Sequence, residues 1–195
     1  YAPIPMPQTN AGIVCVFSGR MIGIKGLPTL RETFEILEET HPHIRLWLCG
    51  TPDTNNPGSW NEEHLQAWSK APNVGWKGHQ EDMRTVWAQS HIALQPSHGG
   101  EGIPKALMEA AACGRPLIAT DVPGCREVVD DGVNGYLVPP QDAQALADTI
   151  VKLAASPDDM ARFAAESPGL IERKGLSAES VRAQTKALYE MSGGL

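Results

Sequence analysis

The sequence predicts an α/β fold, in which a parallel sheet is covered by helices on both faces. Short and almost continuously apolar runs occupy residues 12–18, 44–50 and 91–96, as in strands that are buried on both sides. Each run is followed by a loop and then by a stretch with helical periodicity. Such alternation favours a parallel sheet, because each helix carries the chain back to the start of the next strand.

The first half of the chain opens with an extended segment. Prolines at positions 3, 5 and 7 keep residues 1–8 out of regular structure. We therefore predict that residues 1–10 are a linker or a cut end and that the domain itself spans residues 11–195. Within this half we predict strands at 12–18, 44–50 and 73–76, helices at 28–40 and 60–70, and a turn-rich loop at 51–59.

The second half continues the alternation of strands and helices. An alanine-rich helix after the strand at 91–96 is predicted to reach Cys113 and to end at Gly114. Pro104 is placed in its first turn, where a missing N–H costs nothing. The other predictions are helices at 80–90, 141–154, 157–166 and 178–191, strands at 116–120 and 134–140, and a turn at 121–124.

Composition and charge narrow the possible functions. The chain has 195 residues, 42% hydrophobic and 20% charged, which suits one soluble core. Its net charge of -7 and the lack of a basic stripe argue against nucleic acid as a partner. No apolar run reaches the length of a membrane span and no leader pattern precedes the first strand, so we expect a cytoplasmic protein.

The four cysteines show no metal-binding or redox spacing. Cys15 and Cys49 lie in apolar runs, and free cysteine is among the residues most often buried. We expect these two, together with Cys113 and Cys125, to be buried, reduced thiols in a reducing compartment. The one H-x-H pair has no third ligand nearby, so we predict no metal site.

A glycine-rich loop after the strand at 91–96 is the first candidate site. Gly99, Gly100 and Gly102 let the backbone approach a ligand closely. Ile103 and Pro104 then lead into a helix, whose N-terminus offers N–H groups and the positive end of its dipole. We therefore expect a phosphate or a sugar hydroxyl to bind at this loop.

Two carboxylates accompany the glycine-rich loop. Glu101 lies in the loop, and Glu109 lies farther along the helix that follows. If both face the same crevice, one carboxylate can meet a sugar ring while the other accepts hydrogen bonds from a ribose diol. Without further context, each would be better explained as a solvated surface charge.

The loop at residues 19–26 is the second candidate site, because it follows the first strand and precedes a helix. Its glycine spacing misses the G-x-G-x-x-G pattern of dinucleotide-binding loops, which makes an NAD-binding module the weakest interpretation. Instead it carries two cations, Arg20 and Lys25. Such cations can stabilise the charge that develops on a departing diphosphate. The alternative is two solvated cations at the start of a helix.

The context of the two glutamates resembles a known family. Glu101 and Glu109 are preceded by Pro96 and Ser97 and followed by the stretches 110–121 and 123–129. This pattern is similar to the donor half of retaining glycosyltransferases of the GT-B fold, and most similar to group 1 enzymes that build bacterial surface polysaccharides. The resemblance implies a Rossmann-like domain over residues 11–195, one half of a two-domain fold.

The resemblance also implies roles for individual residues. Arg20 and Lys25 match the cations that bind the donor diphosphate in that family. The loop from Gly99 to Pro104 would hold the sugar and phosphate. Glu101 would accept hydrogen bonds from sugar hydroxyls and would not act as a nucleophile. Glu109 would bind the ribose. Trp76 and Lys77 would lie beside the base.

The implied activity is transfer of a hexose from a UDP- or GDP-sugar to a glycan or lipid-linked acceptor, in polysaccharide or lipopolysaccharide synthesis. It would be retaining and need no metal or other cofactor. The acceptor would bind through an N-terminal domain that is absent here, and the full-length protein could associate peripherally with a membrane. We expect the chain alone to bind nucleotide with negligible transfer. A nucleotide-sugar epimerase half and a non-catalytic binding module are the alternatives.

One position departs from the family pattern. Many relatives carry a basic residue directly before the first glutamate, and this chain has Gly100 there. His98 is one side chain that could replace the lost cation, although a loop histidine is more often merely exposed.

Overall fold

A computed structural model describes residues 1–100 and 102–191, apart from the side chain of residue 191. Within these residues one sheet of six strands has the order β3-β2-β1-β4-β5-β6, and every pairing is parallel. The predicted α/β class is therefore confirmed. The strands are β1 (Ile13–Ser18), β2 (Ile44–Cys49), β3 (Val74–Gly78), β4 (Ile92–Gln95), β5 (Leu117–Thr120) and β6 (Gly135–Val138).

Helices cover both faces of the sheet and bury two separate clusters of apolar side chains. One cluster joins α1, α2 and α6 to the sheet, and the other joins α3, α4 and α5 to its opposite face. The helices are α1 (Leu27–Thr40), α2 (Glu62–Trp68), α3 (Met83–Trp87), α4 (Lys105–Ala112), α5 (Pro123–Arg126), α6 (Ala143–Ala154), α7 (Pro157–Arg173) and α8 (Ala178–Met191). None of them is both long and apolar enough to cross a membrane.

β1 lies inside the sheet between β2 and β4 and determines where the loops meet. Phe17 is in register with Leu48 of β2 and with Leu94 of β4. Because all three strands run in the same direction, their carboxyl ends lie at one edge of the sheet. From β1 the chain runs outward to β2 and β3, and from β3 it crosses back to β4 on the other side of β1. Ligands bind at such a switch point in open α/β sheets.

Helix capping corrects two predicted helices. The helix predicted at 60–70 begins at Glu62, because the side chain of Asn61 accepts a hydrogen bond from the His64 N–H and caps it. Trp60 is thus outside α2, although its ring still packs 5.5 Å from that of Trp68. The helix predicted at 80–90 is shorter in the structure and spans only α3 (Met83–Trp87). Asp82 is its N-cap, because the Asp82 side chain accepts a hydrogen bond from the Arg84 N–H.

Two further elements differ from their predictions. The second half of the turn predicted at 121–124 is the start of the short helix α5, which begins at Pro123, a position where proline needs no donor. The helix predicted to end at residue 166 continues through Pro168 to Arg173. Burial explains this continuation, since Leu170 and Ile171 extend the apolar face of α7 beyond the proline. One lost hydrogen bond costs less than exposure of that face.

All four cysteines are free and buried, as predicted. Burial raises the pKa of Cys49 to about 12, and it also raises the pKa of Cys15 and of Cys113. These three thiols are therefore protonated near neutral pH, and a thiol in that state is a poor nucleophile.

The proline-containing segment at residues 1–8 packs against the domain. The Ile4 N–H donates to the Cys113 carbonyl at 3.2 Å. The fully buried Arg115 donates from Nη2 to the carbonyls of Ile4 and Pro5, at 2.8 and 3.1 Å. The start of the chain is therefore joined to the turn that follows α4.

We predict that Arg115→Ala lowers the free energy of unfolding by about 3 kcal/mol, because it removes charge-assisted hydrogen bonds and leaves a buried gap. Chemical denaturation measures the change. The matched control is Arg31→Ala, which removes an exposed ion pair with Glu35 and should cost about 0.5 kcal/mol or less. Equal losses in the two variants would contradict this account of Arg115.

Candidate functional site

A cleft follows the carboxyl ends of β1, β2 and β4 and consists of two connected hollows. One hollow, of about 320 Å³, lies between β1 and the start of α4. The other, of about 240 Å³, lies over the ends of β1 and β2 and beside the start of α3. Both are lined by Ser18, Gly19 and Arg20. A ligand longer than either hollow can therefore extend along this edge of the sheet.

Arg20 stands where the two hollows meet. Its Nη1 donates to Asp53 Oδ2 at 2.8 Å, in the loop after β2. The Arg20 side chain is 60% exposed, so this pair is a surface ion pair of small energy. The guanidinium therefore remains accessible to an anion in the cleft.

Lys25 lines the same 320 Å³ hollow as Arg20. It ends a 3-10 turn, Gly23–Lys25, which Gly26 closes in a left-handed conformation with φ 89°. A Cβ atom on Gly26 would lie 2.1 Å from the Pro96 carbonyl oxygen, so only glycine fits there. The structure thus places both predicted cations at one hollow, and the close approach of Gly26 to Pro96 brings their loop against the loop after β4.

The glycine-rich loop supplies the opposite wall of this hollow. Gly99 and Gly100 have φ values of 142° and 66°, which a side chain would strain. Ile103, Pro104 and the first residues of α4 line the hollow. Pro104 is the cap of α4, with an extended ψ of 114°, and does not lie in the first turn as predicted.

Two further residues of this loop were predicted to bind the ligand. Gly102 is exposed, and apart from its chain neighbours no atom of the described residues lies within 4 Å of where its Cβ would be. Glu101, the predicted partner of the sugar hydroxyls, lies outside the described residues. Its role therefore stays a prediction.

Glu109 faces a different groove. Its Oε1 lies 3.3 Å from Lys105 Nζ, and its side chain is 13% exposed. The carboxylate also accepts a hydrogen bond from the Tyr1 hydroxyl; burial, followed by this bond, raises the pKa of Tyr1 to about 12. These residues line a groove of about 620 Å³ along α4, α7 and α8. Glu109 is not among the described residues that line the 320 Å³ hollow with Arg20. The contact of Glu109 with ribose therefore stays a prediction.

The predicted base neighbours contact other parts of the protein. Trp76 donates from Nε1 to the Gly50 carbonyl at 2.9 Å, and Lys77 Nζ lies 4.6 Å from the centre of the Trp47 ring. The hollow beside them is instead lined by His79 and Gln80, which the sequence analysis did not single out. The only sequence signal for these two residues is their position directly after the glycine that ends β3.

His98 is half-buried, and its side chain contacts the first turn of α1. Its Nε2 lies 3.1 Å from Thr29 Oγ1. Burial lowers the pKa of His98, which favours the neutral imidazole. The suggestion that His98 replaces a missing cation is therefore not supported.

The parallel sheet, its switch point and the cleft at the carboxyl ends define a Rossmann-like α/β domain. Glycine-rich and cationic loops border that cleft. The chain belongs to the glycosyl transferases group 1 family, whose model matches residues 12–156. The resemblance inferred from the glutamates and their context is confirmed.

Two relatives and one solved structure illustrate the similarity. The chain is 40% identical over 144 residues to an exopolysaccharide phosphotransferase of Streptomyces coelicolor, covering 73% of this chain and 15% of that protein. It is 29% identical over 144 residues to the capsular polysaccharide biosynthesis glycosyltransferase CapM of Staphylococcus aureus, covering 74% and 37%. The crystal structure of Anabaena Alr3699/HepE in complex with UDP matches with a TM-score of 0.78 over 94% of this chain and 49% of that one, at 21% identity. The chain thus spans less than half the length of each.

We predict that Gly26→Ala destabilises the protein by about 2 kcal/mol more than Gly99→Ala does. Both substitutions place a side chain at positive φ, but only Gly26 would also drive a Cβ into the Pro96 carbonyl. Thermal and chemical unfolding of the two variants measure the difference. If the two variants unfold alike, the close approach of the loops is not a constraint.

Proposed function

We propose that this chain is the donor-binding domain of a retaining glycosyltransferase. The full-length protein would transfer a hexose from a UDP- or GDP-sugar to a glycan or lipid-linked acceptor in surface polysaccharide synthesis. One observation carries the proposal: Arg20, Lys25 and the N-terminus of α4 border a single 320 Å³ hollow at the switch point of the sheet. The family membership and the UDP bound to the Anabaena protein support it.

The charges around this hollow suit a diphosphate. Arg20 and Lys25 are fixed cations, and the first turn of α4 offers N–H groups with the positive end of a helix dipole. Together they stabilise the charge that builds on the diphosphate as the glycosidic bond breaks. These cations and N–H groups would do this without a metal. The diphosphate would leave from the same face of the sugar on which the acceptor attacks, and it would assist that attack, so the anomeric configuration would be retained.

The rest of the nucleotide would extend toward β2 and β3. We place the base in the 240 Å³ hollow, next to Thr51, His79 and Gln80. Glu109 would bind the ribose, with the sugar diol replacing the Tyr1 hydroxyl as its hydrogen-bond donor. Glu101 would accept hydrogen bonds from the sugar. The acceptor would bind through the other half of the full-length protein. The full-length protein would work in the cytoplasm, and if its acceptor is lipid-linked it would work at the membrane.

Calorimetric titration with UDP, GDP and NAD in EDTA tests the proposal. We expect UDP or GDP to bind without metal and NAD not to bind. We expect Arg20→Ala and Lys25→Met each to weaken nucleotide binding about tenfold or more, because each variant loses charge-assisted contacts to the diphosphate. Lys186→Met, on exposed α8, is the matched control and should leave affinity unchanged. A folded protein that binds neither UDP nor GDP would contradict the proposal.

The ribose contact has its own test. We expect Glu109→Ala to weaken UDP binding, whereas 2′-deoxy-UDP should bind the native protein and the variant with similar affinity, since the variant lacks the group that senses the missing hydroxyl. Calorimetry on the four combinations gives the coupling between residue and hydroxyl. Glu179→Ala, on α8, is the control. If Glu109→Ala weakens the binding of UDP and of 2′-deoxy-UDP equally, Glu109 has a structural role instead.

A further inference from the structure

His98 joins the loop after β4 to the loop after β1. Its backbone N–H donates to the Ile24 carbonyl at 3.0 Å, and its Nε2 lies 3.1 Å from Thr29 Oγ1. Ile24 directly precedes Lys25, and Thr29 lies in the first turn of α1. One residue of the glycine-rich loop therefore holds the chain on both sides of Lys25.

The partners of His98 are themselves firmly placed. Thr29 is 6% exposed, on the buried face of α1. Between the two contacts, Gly26 lies against the Pro96 carbonyl, just before His98 in the other loop. The neutral imidazole has one donor and one acceptor nitrogen, and the Thr29 hydroxyl can pair with either. The contact therefore has a rigid anchor and needs no charge.

His98 does not itself line the hollow that contains Arg20 and Lys25. Any effect of its side chain on a ligand in that hollow must therefore pass through the residues it holds. The nearest of these is Lys25, which the contacts to Ile24 and Thr29 bracket.

We propose that His98 is a positioning residue, which fixes Lys25 relative to the glycine-rich loop so that both walls of the diphosphate site keep one geometry. This inference rests on the proposed function, in which Lys25 binds the diphosphate. Without the imidazole, the 3-10 turn that carries Lys25 keeps its own hydrogen bonds, from Lys25 N–H to Ile22 and from Gly26 N–H to Gly23. It loses its side-chain tie to the opposite wall, and ligand binding must then order it.

Hydrogen exchange in the ligand-free protein tests the tie itself. We expect amides of residues 22–31 to exchange about tenfold faster in His98→Ala and in Thr29→Val than in the native protein, as loss of one hydrogen bond implies. His98→Gln should exchange like the native protein, because its amide nitrogen can replace Nε2. His64→Ala and Thr149→Val are matched controls away from the cleft. Native exchange rates in both His98→Ala and Thr29→Val would overturn the proposal.

UDP and GDP titrations then separate positioning from a general structural effect. We expect His98→Ala to weaken binding about tenfold, Thr29→Val to do the same, and the double variant to be no weaker than either one. In a Lys25→Met background, His98→Ala should change affinity less than twofold, because Lys25 is the group it positions. A tenfold loss that persists in that background would overturn the proposal. If the native chain binds neither nucleotide, the proposed function fails, and the exchange data alone decide whether the tie exists.

Discussion

The parallel pairing of β1 with both β2 and β4 is the constraint on which the cleft depends. It brings the carboxyl ends of three strands to one edge of the sheet. The helix after β1 covers one face, and the helix after β4 covers the other. The two connecting loops must therefore separate as they leave the edge, and the cleft lies between them. A different strand order would place the two loops at separate points along the sheet.

Backbone contacts and buried hydrogen bonds then hold those loops in place. A Cβ atom on Gly50 would lie 1.9 Å from the Gly19 carbonyl oxygen, so the loop after β2 rests directly on the loop after β1. Beneath the glycine-rich loop, Thr120 Oγ1 donates to the Ser97 carbonyl at 2.6 Å, and Gln95 Nε2 donates to Ser97 Oγ at 2.7 Å. These groups are buried, where a satisfied hydrogen bond is strong and a broken one is costly. The site is thus preorganised by the sheet below it.

Much of this arrangement was predictable because it follows from local patterns and from topology. Apolar runs marked the strands, and the rule for parallel sheets placed the loop with Arg20 and Lys25 at the carboxyl ends of the strands, where both line one hollow. The rest depended on tertiary contacts. Burial of Leu170 and Ile171 carries α7 past a proline, and Glu109 lies with Tyr1 in a groove that no spacing rule indicates. The residues after β3 that line the smaller hollow leave even less trace, since side-chain identity there follows no pattern.

The ion pairs at the cleft bear on how strongly an anion can bind there. Arg20 is paired with Asp53 in an exposed setting, and such pairs contribute only about 0–1 kcal/mol. A charge-assisted hydrogen bond to phosphate contributes about 1.5–3 kcal/mol, so exchange of partners is favourable. Asp53 keeps a second partner, because its Oδ1 accepts from the Asn55 N–H at 3.3 Å. Asp53 thus holds the guanidinium at the junction of the two hollows and can release it at little cost, which suits the diphosphate binding proposed for this acidic protein.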